Sequence, residues 1–265
     1  MRKIIFIITI MCIIFFLLAC STDIYTPQPP DSDVLQSYPP TEVTFWDNTY
    51  RTDLTELDLF PHAPRRRLTD SDIEPLKYMT NLTRLMLSSN EISDIDVLNG
   101  LTTLTFLSIS SNYISDISAL SGLINLEVLQ LSGNQISDIS TLSGLTSLTY
   151  LWLGENQISD IGSLGELSNL RMLGLGDNHI NDISSLNGLT NLTTLYLQNN
   201  QISDISALSG LANLEWLILS GNQISDISAL SELTNLRTLG LRGNPICVEQ
   251  VAEIRDLLQP IRIHY

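Results

Sequence analysis

Residues 126–145 read LEVLQLSGNQISDISTLSGL, and this stretch is one copy of a unit that recurs along most of the chain. Counted from Asn134, leucines stand at positions −8, −5, −3, +8 and +11, and isoleucines at +2 and +5. A 22-residue unit cannot bury its own apolar edge, whereas stacked copies bury it continuously, so the repeat predicts a solenoid. The recurring asparagines are Asn90, Asn112, Asn134, Asn156, Asn178, Asn200, Asn222 and Asn244.

Two spacings within the unit predict its local structure. Leu129 and Leu131 are two residues apart, which places both side chains on one face of a β-strand. From Ile136 to Leu145 the apolar residues step by three, which fits 3₁₀ turns better than an α-helix of about 3.6 residues per turn. We therefore expect a parallel sheet on one side of the solenoid and 3₁₀ or irregular segments on the other. The asparagine follows the strand, where its amide is expected to satisfy buried backbone groups of two neighbouring coils.

The pattern LxxLxLxxNxIxxIxxLxxL resembles the 22-residue leucine-rich repeats of the internalins and of similar bacterial surface proteins. The resemblance covers residues 82–246 without a gap. It implies an α/β solenoid of horseshoe shape, with a parallel β-sheet on the concave side, a 3₁₀ or irregular convex side, and caps at both ends. It also implies that the concave sheet is the usual protein-binding surface.

The first 20 residues predict a targeting signal. Residues 1–3 are Met-Arg-Lys, residues 4–18 are almost wholly apolar, and residues 17–20 read LLAC. This resembles the lipobox of a bacterial lipoprotein signal, which implies cleavage before Cys20, lipidation of Cys20 and an extracytoplasmic protein anchored to a membrane. The alternative is an ordinary secretory signal or an uncleaved anchor, although an apolar run of about 16 residues is short for a spanning helix.

Composition divides the chain into five predicted segments. Residues 20–40 contain five prolines and few aliphatic residues, which favours an extended, solvated tether. The segments are the signal (1–19), the lipidated cysteine with its tether (20–40), the amino-terminal cap with an irregular first repeat (41–81), the leucine-rich repeats (82–246) and the carboxy-terminal cap (247–265).

Both ends of a solenoid expose an apolar cross-section that must be covered. At the amino end, aromatic residues around Asp47-Asn48 predict a short hairpin. Residues Ser71 to Glu74 fit a capping box, which predicts a short helical turn through Tyr78. At the carboxy end, apolar residues at helical spacing within 248–258 predict a capping helix. Cys247, just before it, is expected to be a small buried hydrophobic residue.

The irregular first repeat has His62 at the asparagine position and six extra residues. Prolines and the run Arg65–Arg67 predict a protruding loop there. This loop could contact an acidic partner or merely balance the acidic solenoid. The second interpretation is favoured, because a short charge run is usually a solvated face.

Charge and cysteine content limit the partners and the covalent structure. The formal net charge is −16, and loss of Arg2 and Lys3 with the signal makes it −18. This charge disfavours nucleic acid and direct adhesion to anionic lipid, so membrane contact is expected through the lipid anchor only. Cys12 leaves with the signal and Cys20 carries lipid, so Cys247 has no partner for an intramolecular disulfide.

Residues at positions −6, −4 and −2 alternate with the buried leucines of each strand and must point out of the sheet. We call this surface the concave face. Large exposed aromatic residues among small polar ones are typical of interface hot spots, and Gly174 and Gly176 predict a depression between them. The alternative is that aromatic residues simply suit strands and cover one another. The predicted partner-binding residues are Met86, Phe106, Tyr150, Trp152, Met172, Tyr196, Gln198, Trp216 and Ile218.

Position +4 is an aspartate in seven repeats, and these residues form a predicted row on the outer side. Stacked carboxylates could bind Ca²⁺. Aspartate and serine also cap turns by accepting backbone N–H groups, and this interpretation is favoured because no glycine-containing calcium loop accompanies the row. No metal site is therefore expected. The residues are Asp94, Asp116, Asp138, Asp160, Asp182, Asp204 and Asp226.

The sequence favours a binding module over an enzyme. It contains only three histidines and no GxSxG, HExxH, GxxxxGK or CxxC motif, so no catalytic site or cofactor is expected. The leading hypothesis is a lipid-anchored surface module that binds a host or bacterial surface protein through its concave face. One alternative is a carbohydrate or cell-wall binder, for which Gln130, Gln198 and Glu155 could supply polar contacts beside the aromatic residues. Another is a structural protein of the envelope without a discrete ligand.

Overall fold

A computed structural model of the chain describes residues 39–61, 67–258 and 260–265. The predicted signal, Cys20 and nearly all of the tether lie outside these residues, as do His62 and Arg65–Arg66 of the predicted loop. Within the described ranges, no helix is both long enough and apolar enough to cross a membrane.

An antiparallel hairpin caps the amino end, as predicted. It consists of strands β1 (Glu42–Phe45) and β2 (Asn48–Arg51). Phe45 pairs with Asn48, so the turn residues are Trp46 and Asp47, one position earlier than the predicted pair. Trp46 has a φ of 53°, the left-handed conformation that two-residue hairpin turns favour. Val43 and Phe45 are buried, so one face of the hairpin packs on the core of the solenoid.

Ten short strands form one parallel sheet in which neighbours along the chain are neighbours in space. Their registers are aligned, so that Leu129 lies between Leu107 and Leu151. The central leucine of each repeat strand is buried, and the residues on either side of it point outwards. The strands are β3 Glu56–Asp58, β4 Arg84–Met86, β5 Phe106–Ser108, β6 Val128–Gln130, β7 Tyr150–Trp152, β8 Met172–Gly174, β9 Thr194–Tyr196, β10 Trp216–Ile218, β11 Thr238–Gly240 and β12 Arg262–His264.

Each coil returns through a 3₁₀ segment, which confirms the prediction from the three-residue apolar steps. The leucine at position +8, such as Leu142, is buried within each segment, and the isoleucines at +2 and +5, such as Ile136 and Ile139, are buried just before it. The core therefore runs without interruption between the sheet and the 3₁₀ segments. Their bounds are Asp96–Gly100, Ser118–Leu120, Ser140–Gly144, Gly162–Glu166, Ser184–Gly188, Ser206–Leu208 and Ser228–Leu230.

The first, irregular repeat contains a short helix, Asp70–Ile73, followed by a 3₁₀ segment, Glu74–Tyr78. A capping box is present, but its assignment to Ser71 and Glu74 was wrong by two residues. The carboxylate of Asp72 accepts hydrogen bonds from the N–H and hydroxyl of Thr69, at 2.8 and 2.7 Å. Thr69 has an extended backbone, as an N-cap requires, whereas Ser71 already lies within the helix.

The carboxy-terminal helix spans Val248–Leu257 and confirms the predicted cap. Val251, Ile254 and Leu258 are buried against the last coil, whereas Leu257 is 56% exposed. Cys247 is exposed, so the expectation of a buried thiol was wrong. Its backbone is extended immediately before the helix, and the buried stripe begins one turn later.

A last strand, β12, was not predicted. It follows the capping helix and adds to the sheet beside β11, with Arg262 aligned to Thr238. The N–H of Arg262 donates to the carbonyl of Arg237 at 2.9 Å, and the hydroxyl of Tyr265 donates to the carbonyl of Ile246. The end of the described chain is thereby fastened to the last repeat.

Candidate functional site

The repeated asparagines join neighbouring coils, as the sequence predicts. The Nδ2 of Asn156 donates to the carbonyls of Leu131 and Leu153 at 3.1 and 3.0 Å, and its Oδ1 accepts the N–H of Ile136 at 3.0 Å. Leu131 and Ile136 belong to the preceding coil, and Leu153 belongs to its own coil. The asparagines from Asn90 to Asn222 are buried and make equivalent bonds, whereas Asn244 in the last repeat is half-buried.

A second row of asparagines, at position −9, was missed in the sequence. In five repeats the Nδ2 donates to a backbone carbonyl of the preceding coil, 23 residues earlier, at 2.8–2.9 Å. The available signal was asparagine at this position in six of the eight repeats, which the dominant leucine pattern obscured. This row lies at the edge of the sheet where the strands begin. Asn81 occupies the same position, and the five residues that make this bond are Asn125, Asn169, Asn191, Asn213 and Asn235.

The aspartate row caps the 3₁₀ segments, which confirms the favoured interpretation. In all seven repeats the Oδ1 accepts the backbone N–H two residues later, at 2.8–2.9 Å, as Asp138 does from Ser140. Hydrogen bonds from the backbone N–H and side chain of Ser140 hold the pKa of Asp138 below its usual value. Across the described ranges, no group of three or more histidine, cysteine or acidic side chains is arranged to hold a metal ion.

All nine predicted partner-binding residues lie on the outward side of the sheet. Tyr150 and Trp216 are the most exposed, at 39% and 43%, and the other seven are half-buried. Tyr150 and Trp216 occupy position −6 of their repeats on β7 and β10, and Met172 and Thr194 lie between them in register. The backbones of Tyr150 and Trp216 are therefore three strand spacings, or about 14 Å, apart.

Trp152 and Tyr196 contact each other across a glycine. The two residues lie on β7 and β9, and Gly174 on β8 is aligned between them. Their ring centroids are 5.4 Å apart, with an interplanar angle of 30°. A Cβ atom on Gly174 would lie 2.4 Å from Cε3 of Trp152, so the indole occupies the space that any larger residue would fill. These two rings therefore cover one another in part, as the alternative interpretation anticipates.

The predicted depression is present beside this aromatic pair, with a volume of about 260 Å³. Gln198 reaches over Gly176, where an added Cβ would come within 2.0 Å of Nε2. Its Oε1 is buried and accepts no hydrogen bond from the part of the chain that the structure describes. The lining residues are Ser132, Trp152, Gly154, Glu155, Gly174, Gly176, Asp177, Tyr196 and Gln198.

Two of the other predicted residues, Phe106 and Ile218, make contacts within the sheet. The guanidinium of Arg84 lies 4.1 Å from the ring centroid of Phe106, a cation–π contact at the amino-terminal end. Ile218 leans over Gly240, where an added Cβ would lie 3.1 Å from Cδ1. A larger cavity, of about 560 Å³, lies between the last coil and the carboxy-terminal cap, and no aromatic residue lines it. On the concave face, the exposed and half-exposed aromatic residues are therefore concentrated on β7 to β10.

A family model described as Leucine Rich repeats (2 copies) matches residues 80–122, 124–166, 168–210 and 212–256, which together are more than half of the chain. The chain belongs to the leucine-rich repeat family. Proteins of this family are typically non-enzymatic binding modules. No curated protein matches the sequence.

Several solved leucine-rich repeat structures are similar to this one. An internalin (inlF) from Listeria monocytogenes is 35% identical, with a TM-score of 0.68 over 75% of this chain and 64% of that one. Internalin C2 from the same organism is 38% identical, with a TM-score of 0.68 over 73% and 85%. A leucine-rich repeat protein from Leptospira interrogans is 29% identical, with a TM-score of 0.68 over 72% and 51%. The chain thus spans just under two thirds of inlF and about half of the Leptospira protein.

Proposed function

We propose that this leucine-rich repeat protein is an extracytoplasmic module, anchored by lipid at Cys20, that binds another protein through its concave face. The observation that carries the proposal is the pair of exposed rings, Tyr150 and Trp216, on a sheet face that also holds the depression beside Trp152 and Tyr196. Exposed aromatic residues next to small ones are the usual composition of interface hot spots. Solenoids generally use such extended concave surfaces for binding.

The distribution of hydrogen bonds supports the concave face over the outer side. On the outer side the aspartate row is occupied with capping the 3₁₀ segments. On the concave face of β7 to β10, by contrast, the large side chains Tyr150 and Trp216 remain open to solvent. The apolar surface of these two rings can be buried only when a partner binds, and this burial would favour association.

The double substitution Trp152→Ala/Trp216→Ala is expected to weaken partner binding by at least about 2 kcal/mol, or roughly 30-fold, which is the usual size of a hot-spot effect. Folding should change little, because neither side chain belongs to the solenoid core. The partner would be captured from host and bacterial surface fractions with the compact unit Pro40–Tyr265 and its affinity measured by calorimetry.

The matched control is Gln157→Ala, an exposed position that follows the buried Asn156 and is absent from the lining of the depression. It should leave the affinity unchanged. Equal loss of binding in Gln157→Ala, or full binding by the double tryptophan variant, would place the interface elsewhere.

Carbohydrate binding is the second candidate, because Glu155, Asp177 and Gln198 share the depression with Trp152 and Tyr196. Aromatic platforms with polar side chains at their edge are what a glycan site requires. A glycan array probed with the same unit would support this function if it retained one glycan class and the double tryptophan variant did not.

The proposed lipidation of Cys20 gives a separate prediction. Growth with a clickable palmitate analogue should label the wild-type protein and the Cys247→Ser variant, whereas Cys20→Ser should carry no label and leave the membrane fraction. The reason is that residues 17–20, LLAC, resemble a lipobox, whereas Cys247 lies in the carboxy-terminal cap. Equal labelling of Cys20→Ser and the wild type would end the lipoprotein proposal.

A further inference from the structure

We propose that the depression between β7 and β9 receives the guanidinium group of an arginine side chain from the protein partner. This inference rests on the proposed function, because it names the chemistry by which the partner enters the concave face. It is carried by the size of the depression, the charges at its edge, the aromatic pair beside it and the unpaired oxygen of Gln198.

The size of the depression suits one side chain rather than an independent small molecule. Its volume of about 260 Å³ falls below the roughly 300–1,000 Å³ of pockets that bury drug-sized ligands. Gly154, Gly174 and Gly176 form its floor because they carry no side chains. Trp152 and Gln198 already occupy the space above Gly174 and Gly176, so the open volume lies beside these two side chains.

The charges at the depression favour a cation. Glu155 and Asp177 are exposed at its edge, and its lining contains no lysine, arginine or histidine. The Nδ2 of Asn199 donates to Oδ1 of Asp177 at 2.7 Å, which holds this carboxylate in place. The chain as a whole carries a formal charge of −16, so its long-range field also attracts a basic partner.

The polar atoms of the depression are mostly acceptors. Glu155 and Asp177 supply four carboxylate oxygens, and Gln198 supplies the buried Oε1 that lacks a donor in the described part of the chain. A guanidinium has five N–H donors and no acceptor, and its planar shape matches a carboxylate through two parallel bonds. A sugar hydroxyl has one donor and no charge, so it satisfies fewer of these acceptors and does not neutralise the carboxylates.

The aromatic pair distinguishes arginine from lysine. The ring centroids of Trp152 and Tyr196 are 5.4 Å apart, and the two rings present one partly exposed surface beside the carboxylates. A guanidinium stacks on such a surface while its edge bonds a carboxylate, whereas an ammonium is a compact, strongly hydrated charge. The combination of a stacking surface and carboxylates therefore assigns the site to arginine.

The test uses the full chain with ¹⁵N-labelled tryptophan and the probe Nα-acetyl-L-arginine amide. The indole N–H signals of Trp46, Trp152 and Trp216 are assigned from single Trp→Phe variants and followed by NMR during titration. Trp152 should shift saturably, and Trp46, in the hairpin cap, should not. The neutral isostere Nα-acetyl-L-citrulline amide should bind at least tenfold more weakly, because it lacks the charge that the carboxylates stabilise.

Two variants locate the site. Glu155→Gln/Asp177→Asn should weaken binding of the arginine probe at least tenfold while leaving the fold intact, because both side chains are exposed. Gly174→Ala should abolish the Trp152 shift, because the added Cβ displaces the indole. Its matched control is Gly188→Ala, where an added Cβ meets no atom within 4 Å, and this variant should bind like the wild type.

Three results would overturn the assignment: equal binding of the arginine and citrulline probes, unchanged binding by Glu155→Gln/Asp177→Asn, or a Trp152 response to N-acetylglucosamine in place of arginine. The last would make the depression a sugar subsite. Failure of the arginine probe while Trp152→Ala/Trp216→Ala still loses the captured protein would remove this inference and leave the proposed function standing. Loss of the proposed function would instead show as retained partner binding by that double variant.

Discussion

Replacement of Asn156 by alanine is expected to lower the free energy of unfolding by about 2–3 kcal/mol. The substitution leaves the N–H of Ile136 without its acceptor. It also removes one of the two donors to each of the carbonyls of Leu131 and Leu153, which keep their bonds from the neighbouring asparagines of the row. Asn156 is only 7% exposed, so water cannot replace these bonds without opening the stack between two coils. A buried backbone group left without a partner costs about 1–3 kcal/mol, and the loss of one donor from each of the two carbonyls adds to the cost of the unpaired N–H.

Denaturant unfolding of three variants measures this effect. Asn244→Ala should cost about half as much, because Asn244 is half-buried and water can reach the groups that it releases. Gln157→Ala should change the free energy by less than about 0.5 kcal/mol, as surface substitutions usually do. An unfolding midpoint for Asn156→Ala equal to that of the wild type would contradict the role of the asparagine row in joining the coils.

The repeated part of the fold could be predicted because its determinants are local and recur. The two-residue step from Leu129 to Leu131 defines which side of the strand is buried, and the three-residue steps after Ile136 define the 3₁₀ segment. Both features then repeat every 22 residues, so an error in one copy would conflict with the others. The asparagine bonds followed from the same reasoning, since a turn between buried segments needs a partner for its backbone groups.

The ends of the solenoid were harder to predict because each occurs only once. Cys247 was expected to be buried because cysteine usually behaves as a small hydrophobic residue, yet its exposure is decided by where the capping helix begins. The strand β12 has no repeat signature, and its pairing with β11 depends on the helix returning the chain to the sheet. The capping box was predicted two residues too late because Thr69 with Asp72 and Ser71 with Glu74 both fit the pattern, and the structure uses the first pair.

The concave face was predicted residue by residue, but its internal contacts were not. Strand alternation placed Trp152, Tyr196 and Gly174 outwards, and the two glycines predicted a depression. That the indole crosses Gly174 to contact Tyr196 depends on side-chain rotamers and on a distance of two strands, which no local pattern encodes. Glu155 and Asp177 line the depression because they follow the ends of β7 and β8, which lie beside it.

Leu173→Ala is expected to lower the free energy of unfolding by about 3 kcal/mol, within the usual range for truncating a buried leucine. Leu173 is fully buried and lies between Leu151 and Leu195 in the middle of the sheet, so neither neighbour can collapse into the cavity without disturbing its own coil. Thermal or urea unfolding of the variant gives the value, and an effect below about 1 kcal/mol would contradict the close packing inferred here.

Ile263→Ala is the matched comparison, because Ile263 has the same register position in the terminal strand β12. It is half-buried and has one neighbouring strand in place of two, so its truncation should cost about 1 kcal/mol. Because Leu173 and Gly174 are consecutive and face opposite sides of β8, the folded Leu173→Ala protein should keep the Trp152 indole signal of the wild type. A shifted indole signal in that variant would mean that the core and the depression are mechanically coupled through β8, and the concave face could then not be treated as a surface independent of the repeat core.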